Sequence, residues 1–506
     1  MLFNNILKGR RRVEINVKLE DFLNNPVEIL ESKLGDALSI HKSNVSEMEI
    51  IHNELVGDQN IFNKTRSDYS NINNKEVENH LYPIWRFKTS YIVGRPIQYS
   101  NKGGEGNDDM KYFNRYLDDC KKAQNDIKVY GDVYEYGVGY RMLFPKKRIF
   151  DDEWESPLND YYLDPKNVFA CYSKDVSNEL LFTCVISQEK NNITKRNQNV
   201  YTVYFEGKDG HCNVIDFDSK YKEIIGENRN VKEEYKGNPI FEYTENKYRL
   251  GIVEIIMGLQ NVLNHIDSCQ LDDIDQFIQA YLVFMNIDVD LETPEGIKAW
   301  KDTLNIFRNT RAMVLSSQNE QMPADFRQIA NTLDHNAINS FHSRIKNAMY
   351  DIAKAPQSSG SVTSGGDTTG ARLLGNGWES ALTDAELSTN SLKSSEYEWI
   401  KFFIRECRAS SNKKIDNIYP SEIEIKYNIN MSDNALVKTQ AISNLYNSNM
   451  PKELILTAVP ILSDVYKSAK IWEEYDNLKK EENENASNNK PQVSNEQIND
   501  MINKSN

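Results

Sequence analysis

The sequence predicts an α+β protein that is mainly helical and that folds in two or more units. Its 506 residues exceed the size of a typical single domain. Residues 134–217 contain short segments rich in β-branched and aromatic residues and separated by turn signals, which is typical of antiparallel strands. From Gly251 onwards the apolar residues recur at helical spacing instead.

The first 250 residues predict helices followed by a sheet. Residues 1–80 are polar, and we expect mostly loops there. One helix is predicted to begin near Pro83 and to end at the Gly94–Arg95–Pro96 turn, and another covers residues 110–130. Five strand segments follow, at residues 134–144, 161–172, 179–187, 199–207 and 212–217.

The region after Gly251 predicts long helices. An apolar stripe that includes Leu271 and Ile274 predicts a helix over about residues 251–285, and it leaves a polar face that contains Asp267, Asp272, Asp273 and Asp275. A second stripe, which includes Phe341 and Ile345 and is expected to face inward, predicts a helix over residues 336–355. The tail at 481–506 is rich in Asn, Glu, Lys and Ser, a composition typical of disorder.

Charge and composition exclude several classes of protein. The net charge is −15 and the pI is about 5.2, which argues against a protein that grips DNA tightly, because such binding neutralises phosphates. The six cysteines are scattered without a CxxC pair, so we expect reduced thiols in a cytoplasmic product. Neither a signal peptide nor an apolar run of about 18–20 residues is found, so no membrane association is expected.

The motifs do not indicate an enzyme. The segment Gly360–Gly365 begins like a phosphate-binding loop, but Gly366 and Asp367 stand where Lys and Ser or Thr are needed. None of the seven histidines belongs to an HExxH motif, and no nucleophile–base pair is evident. We therefore predict no catalytic residue, no cofactor and no metal site.

Two charged groups have more than one interpretation. The acidic residues Asp272, Asp273 and Asp275 could bind a cation, but charge patterning favours a solvated helix face. The basic segment from Lys8 to Arg12 could contact nucleic acid, and an exposed N-terminal arm is an equal alternative.

Five segments, in order, resemble the portal proteins of long-tailed phages that infect Gram-positive hosts. They are FKTSYIVGRPIQY, DIKVYGDVYEYGVGYRMLF with YLDPKNVFACY, the segment from Gly251 to Phe284, the loop containing TTGARLL, and NINMSDNALVKTQAI with MPKELILTAVPILSDVYK. The likeness extends from about residue 75 to 480. The chain departs from the family at the glycine-rich loop, where Thr369–Gly370–Ala371–Arg372 replaces the more usual Ser-Gly-x-Ala core.

The resemblance implies the phage portal fold, assembled as a ring of probable twelvefold symmetry at one capsid vertex of the virion. It divides the chain into an α+β wing (1–250), a first stem helix (251–285), a clip (286–335), a second stem helix (336–355), a tunnel loop (356–377), a long wing helix (378–407), a helical crown (408–480) and the disordered tail (481–506).

The same resemblance implies partners and contact residues. The partners are further copies of the chain, double-stranded DNA in the channel, the terminase packaging motor, the head–tail adaptor, and the capsid and scaffold proteins. The candidate DNA-channel residues are Arg344, Lys346, Ser358, Ser359, Ser361, Thr363, Ser364, Thr368, Thr369 and Arg372. The candidate clip residues for partner docking are Trp300, Phe307, Arg308 and Arg311.

Two other functions remain open from the sequence. One is a different head–tail structural protein of a phage or mobile element, which imaging of the assembled particle would separate from a portal ring. The other is a DNA-processing enzyme, which the missing phosphate-loop and metal-ligand motifs disfavour.

Overall fold

The computed structural model describes most of the chain. The described residues are 9–66, 72–102, 109–146, 155–190, 197–225, 231–278, 281–285, 292–310, 325–329, 335–357, 377–409, 415–429, 442–448, 450–452, 454–455 and 471–478. They belong to two compact units. The smaller unit includes residues 56–80 and 258–349, and the larger one includes residues 5–55, 81–257 and 350–506.

The described part of the chain has more residues in helices than in strands, so the prediction of a mainly helical α+β protein is confirmed. The helices are α1 (Leu19–Asn24), α2 (Pro26–Val56), α3 (Leu81–Val93), α4 (Asp109–Asp119), α5 (Lys122–Tyr136), α6 (Ile252–Ile278), α7 (Pro294–Thr310), α8 (His335–Ile352) and α9 (Trp378–Ala409). None of these described helices is both long enough and apolar enough to cross a membrane.

The strands are short and mostly antiparallel. They are β1 (Val13–Ile15), β2 (Gln98–Asn101), β3 (Gly139–Pro145), β4 (Leu158–Leu163), β5 (Val168–Ser173), β6 (Leu180–Lys190), β7 (Asn197–Glu206), β8 (His211–Phe217), β9 (Val231–Lys236), β10 (Ile240–Tyr243), β11 (Tyr281–Met285), β12 (Asp325–Ile329) and β13 (Ile423–Lys426). The five predicted strand segments correspond to β3 to β8, with β4 and β5 sharing one segment.

The larger unit contains a six-stranded sheet in the order β1-β5-β6-β7-β8-β9, in which β1 pairs with β5 in parallel. Three more strands pair as β10-β3-β4, and β13 pairs with β2. In the smaller unit β11 pairs with β12.

Helices α1 and α2 cover one face of the six-stranded sheet. Leu30, Leu34 and Leu38 recur every fourth residue of α2, so they lie on one side of the helix, and all three are fully buried. The Phe22 ring of α1 stacks on Phe182 with ring centroids 5.9 Å apart. The alternation of side chains along β6 and β7 and the helical stripe of α2 therefore form one hydrophobic core.

Helix α9 covers a different buried cluster, which consists of five charged side chains. The Arg141 guanidinium of β3 makes two hydrogen bonds to Asp160 of β4, at 3.0 and 2.6 Å, and one to Asp126 of α5 at 2.6 Å. The Lys122 Nζ lies 2.6 Å from Asp126 and 2.8 Å from Glu396 of α9. All five residues are less than one tenth exposed.

Tyrosines complete this cluster. The Tyr99 and Tyr243 hydroxyls donate to Glu396 at 2.7 and 2.9 Å. Burial raises the pKa of Asp126 in spite of the two nearby cations. Burial also acts to raise the pKa of Glu396, but Lys122 and Arg141 outweigh it and hold that pKa below its usual value. The cluster is therefore a hydrogen-bonded network that joins α5, β3, β4 and α9.

The structure corrects three predictions about helices and loops. Residues 1–80 are not mostly loops, because α2 alone covers 31 residues whose buried leucines are diluted by polar neighbours. The helix predicted over 110–130 is two helices, separated at Lys121, whose φ of 58° is left-handed. The helix predicted over 251–285 ends at Ile278, and Tyr281–Met285 forms a strand instead.

Within the basic N-terminal segment, Arg10 is buried, Arg12 is half-buried and Arg11 is exposed. Arg10 is 3% exposed, and its guanidinium lies 2.8 Å from Glu254 and 3.0 Å from Glu47. The Arg12 guanidinium lies over the Tyr172 ring, 3.8 Å from its centroid. Lys8 is outside the described residues. Arg10 therefore stabilises the larger unit and is not available to nucleic acid.

Replacing Arg141 should destabilise the larger unit strongly. The variant Arg141→Met leaves three buried carboxylates against one cation, and removing one partner of a buried ion pair costs about 3–5 kcal/mol. The free energy of unfolding, measured by urea denaturation, should fall by that amount. Arg141→Lys should also destabilise, because lysine cannot form the two-point contact with Asp160.

The matched control is Lys401→Met, which removes a cation from an exposed pair with Glu398 on α9. Its effect should stay within roughly 0.5 kcal/mol. Equal stabilities for Arg141→Met and Lys401→Met would show that the buried cluster does not hold these elements together.

Candidate functional site

The buried side of α6 in the smaller unit is polar. Gln260, Asn264, Ser268 and Asp272 recur every fourth residue, so they form one row along the helix, and none is more than 2% exposed. Leu271 and Ile274 of the predicted inward stripe are 38% and 46% exposed. At Leu271 and Ile274 the apolar stripe of this helix therefore does not face the interior of the smaller unit.

The polar row binds residues 72–80, which we call the strap. The Asp272 carboxylate accepts a hydrogen bond from the Asn74 amide at 2.7 Å, and the Ser268 hydroxyl accepts one from the Glu76 amide at 2.9 Å. The Gln260 side chain accepts from the His80 amide at 2.9 Å and donates to the Glu78 carbonyl at 2.7 Å. The side chains of α6 thereby satisfy main-chain groups of the strap that a neighbouring strand would otherwise bind.

Simple geometry explains the spacing of these bonds. An extended chain advances about 6.6 Å in two residues and a helix about 6.0 Å in four, which agrees with the pairing of residue 74 with 272 and of residue 76 with 268. The strap runs antiparallel to the helix, since residue 74 binds residue 272 and residue 80 binds residue 260. Gln260, Ser268 and Asp272 of the row bind the strap, whereas Asn264 binds the side chains of Gln59 and Gln260.

Asp272 is the most strongly bound member of the row. Its carboxylate lies 2.7 Å from Lys64 Nζ and 3.1 Å from Arg66 Nη1. Burial acts to raise the pKa of Asp272, but the hydrogen bonds from Lys64 and Asn74 and the adjacent cations outweigh it and lower the pKa. Asp275 also accepts a hydrogen bond from the Asn74 side chain, at 2.8 Å. The expectation of a solvated acidic face is wrong for Asp272, which is buried and paired.

A cavity of about 440 Å³ lies beside this carboxylate. Its lining residues are Asn60, Asn63, Lys64, Thr65, Arg66, His265, Cys269, Asp272 and Asp273. The Cys269 Sγ is 3.7 Å from His265 Nε2, and burial raises the pKa of the thiol. Cys269 is therefore held as a neutral thiol, which is the unreactive form.

A mixed group of charged side chains lies near the other end of the strap. Three side-chain atoms lie within 4.8 Å of one another: a carboxylate oxygen of Glu78 in the strap, one of Asp267 in α6, and a ring nitrogen of His342 in α8. The Lys346 Nζ of α8 binds Glu78 Oε1 at 3.0 Å. The strap is thus joined to α8 by charged side chains and to α6 by hydrogen bonds of its main chain.

A comparison with protein families assigns the chain. Residues 35–488 match the model of the family described as "Phage portal protein, SPP1 Gp6-like". The chain belongs to this family. It is a family of structural proteins, so this chain is a portal protein and a component of a phage-like particle.

Solved structures give weaker likenesses. One chain of "Virion of native gene transfer agent (GTA) particle" is 11% identical, with a TM-score of 0.42, and the match covers 75% of this chain and 89% of that one. One chain of "Neck of native GTA particle computed with C12 symmetry" is 10% identical, with the same TM-score and coverage. No curated protein sequence matches this portal protein. The family assignment depends on the family model alone.

The structure describes few of the residues predicted to contact DNA or partners. Arg344 is exposed on α8, and its guanidinium lies 4.7 Å from the Phe341 ring centroid. Trp300 is half-buried on α7. The side chains of Phe307 and Arg308 are outside the description, as are Arg311, Ser358, Ser359, Ser361, Thr363, Ser364, Thr368, Thr369 and Arg372.

Sequence reasoning missed the strap and the row that binds it. The signal was present, because Gln260, Asn264, Ser268 and Asp272 are polar residues at a strict spacing of four. Such a row is usually a solvated helix face. Its partner lies about 190 residues away in sequence, and nothing in the strap's own composition indicates that a helix binds it.

Removing the Asp272 carboxylate should release the strap. In Asp272→Ala the amide of Asn74 loses its acceptor, and the buried Lys64 ammonium, 7% exposed, loses its partner. Amide hydrogen exchange of residues 72–80, followed by mass spectrometry, should accelerate at least tenfold. The control Asp273→Ala removes the adjacent carboxylate and should leave the exchange unchanged. Equal protection of the amides of residues 72–80 in both variants would show that Asp272 does not hold the strap.

Proposed function

We propose that this portal protein forms a ring through which double-stranded DNA enters and leaves a phage head, and that twelve copies make the ring. Family membership over residues 35–488 is the observation that carries the proposal. Two physical features of the chain support it, namely the exposed apolar residues of α6 and the distribution of charge.

The exposed apolar residues favour assembly. The polar row of α6 is occupied by the strap, and Leu271 and Ile274 are left on the outer side of the helix with 38% and 46% of their surface exposed. Phe341 of α8 is 41% exposed, although its position in the apolar stripe predicts burial. Burial of such residues against a neighbouring copy releases water and stabilises a ring, in which each subunit uses the same two surfaces.

The charge favours a channel that DNA passes without being held. Twelve copies of a chain with a net charge of −15 give a total of about −180 around one axis. Neutralising 6–10 phosphates would create a strongly bound state at every register of the DNA. An acidic wall leaves the counterions on the DNA, so the DNA moves along the channel against smaller energy barriers.

The few basic residues facing the DNA would then act as weak, repeated contacts. On α8, Arg344 is the better candidate, because its guanidinium is exposed and contacts only an aromatic ring among the interactions described. Lys346 is bound to Glu78 within the subunit and would have to leave that pair to reach a phosphate. In the loop at 356–377, hydroxyls from Ser358 to Thr369 and the Arg372 guanidinium supply the remaining proposed contacts.

The remaining regions receive roles from the same proposal. Residues 1–250 and α9 form the wing, α6 and α8 the stem, and residues 286–335 the clip. The clip, with Trp300, Phe307, Arg308 and Arg311, docks the terminase motor and later the head–tail adaptor. Residues 408–480 form the crown toward the capsid interior, and capsid and scaffold proteins surround the wing. Assembly takes place in the host cytoplasm.

A charge on the outer side of α6 should prevent ring formation. In Ile274→Lys a cation replaces an apolar residue at the proposed contact between copies, and a desolvated charge there costs several kcal/mol. Native mass spectrometry should show rings for the parent chain and monomers or small oligomers for the variant. Ile50→Lys, at a residue of α2 with 51% exposure, is the matched control and should still form rings. A parent chain that stays monomeric at micromolar concentration would refute the ring.

Shortening the glycine-rich loop should impair packaging and leave rings intact. Six glycines among residues 356–377 let this loop follow a moving DNA surface at little cost. Deletion of residues 360–366, or proline at Gly365 and Gly366, should reduce the yield of full heads or the length of the retained genome. Normal yields of full-length genomes from both variants would place the loop away from the channel, as a linker between helices.

A further inference from the structure

The group formed by Glu78, Asp267 and His342 has the chemistry of a metal site. It comes from three separate elements, the strap, α6 and α8, all within the smaller unit. The His342 Nε2 lies 3.3 Å from Asp267 Oδ1 and 3.8 Å from Glu78 Oε2. Ligand atoms about 2.1 Å from a tetrahedral metal lie roughly 3.4 Å from one another. The two separations from His342 are within about 0.4 Å of that value, and all three ligand atoms lie within 4.8 Å of one another.

Each carboxylate also has an oxygen available to a metal. Glu78 Oε1 is bound by Lys346 at 3.0 Å and by His80 at 2.9 Å, whereas Oε2 faces His342. Asp267 Oδ2 is buried without a hydrogen-bond partner among the described residues. A buried carboxylate oxygen without a donor is costly, and a cation is one way to satisfy it.

The surroundings suit a bound ion that remains accessible. Glu78 is 47% exposed, so an ion can enter from solvent, while His342 and Asp267 are 20% and 16% exposed. Lys346 and His80 hold Glu78 from the far side and orient its other oxygen, as the residues behind metal ligands commonly do. The Lys346 ammonium also opposes a cation by charge repulsion, so the affinity should be moderate rather than extreme.

We propose that Glu78, Asp267 and His342 bind one divalent first-row transition-metal ion, for which zinc is the probe, and that the ion links the strap to α6 and α8. One histidine and two carboxylates form a hard, mixed donor set that suits zinc or manganese better than a thiolate-selective metal. The site lies within a single chain, so it does not depend on ring assembly or on the proposed function.

Zinc binding to the untagged, chelator-treated full chain tests the proposal. Isothermal titration should find one ion per chain in the parent protein. His342→Ala and the isosteric Asp267→Asn should each weaken binding at least tenfold. The matched control His211→Ala, at a histidine of β8 whose ring contacts main-chain carbonyls, should leave binding unchanged. Absence of binding to the parent chain at 1:1 stoichiometry would overturn the site.

A neighbouring alternative must be separated from this site. His265 and Cys269 form the only cysteine–histidine contact described on α6, and a zinc ion bound there would include a thiolate. The cobalt-substituted protein should therefore lack a thiolate-to-metal charge-transfer band. Such a band, or binding that is lost in His265→Ala and retained in His342→Ala, would refute the proposal.

Hydrogen exchange supplies a readout that does not depend on affinity alone. Zinc should slow amide exchange in residues 72–80 severalfold in the parent chain, because the ion fixes the strap to two helices. The effect should be absent in Asp267→Asn, whose circular dichroism spectrum serves as the control for folding. Slowing of equal size in parent and variant would show that zinc acts elsewhere.

Discussion

The larger unit depends on one constraint, the buried contact of the Arg141 guanidinium with the carboxylates of Asp160 and Asp126. Arg141, Asp160 and Asp126 come from β3, β4 and α5, and Lys122 joins them to Glu396 of α9. A charge in a dry interior is tolerated only when its partners are in place, and a shift of α9 by one residue would take the Glu396 carboxylate away from Lys122, which would keep only Asp126 of its own helix. The network therefore fixes the position of α9, which follows α5, β3 and β4 by about 250 residues in the sequence.

In the smaller unit, helix α6 departs from the usual amphipathic arrangement. Most surface helices bury an apolar stripe and expose polar residues. In the smaller unit, α6 buries Gln260, Asn264, Ser268 and Asp272 beside the apolar Leu263, and it exposes Leu271 and Ile274. The arrangement is stable because the strap's amides and carbonyls satisfy the buried polar groups. A subunit of this kind can offer an apolar surface to its neighbours and still be satisfied internally.

The pairing of charges within the chain also bears on DNA. Several cations that a sequence reading counts as available are bound to carboxylates, among them Arg10, Lys64 and Lys346. Each of these three cations is engaged within the chain, and the chain as a whole carries more acidic than basic residues. Cations held in this way agree with the proposed channel, in which DNA must slide rather than bind. Arg344 is an exception on α8, since its guanidinium is exposed over an aromatic ring.

The sequence by itself determined the α+β class, the strands between Gly139 and Phe217 and the long helix from Trp378, because period and composition are local properties. It also carried the family resemblance, through the order of its segments. It did not determine α2, whose leucines are diluted by polar residues, or which side of α6 is buried. Only the tertiary structure decided that Asp272 is paired and that Glu78, Asp267 and His342 meet. Burial of a polar row depends on a partner segment far away in sequence, and spacing along one helix contains no information about that partner.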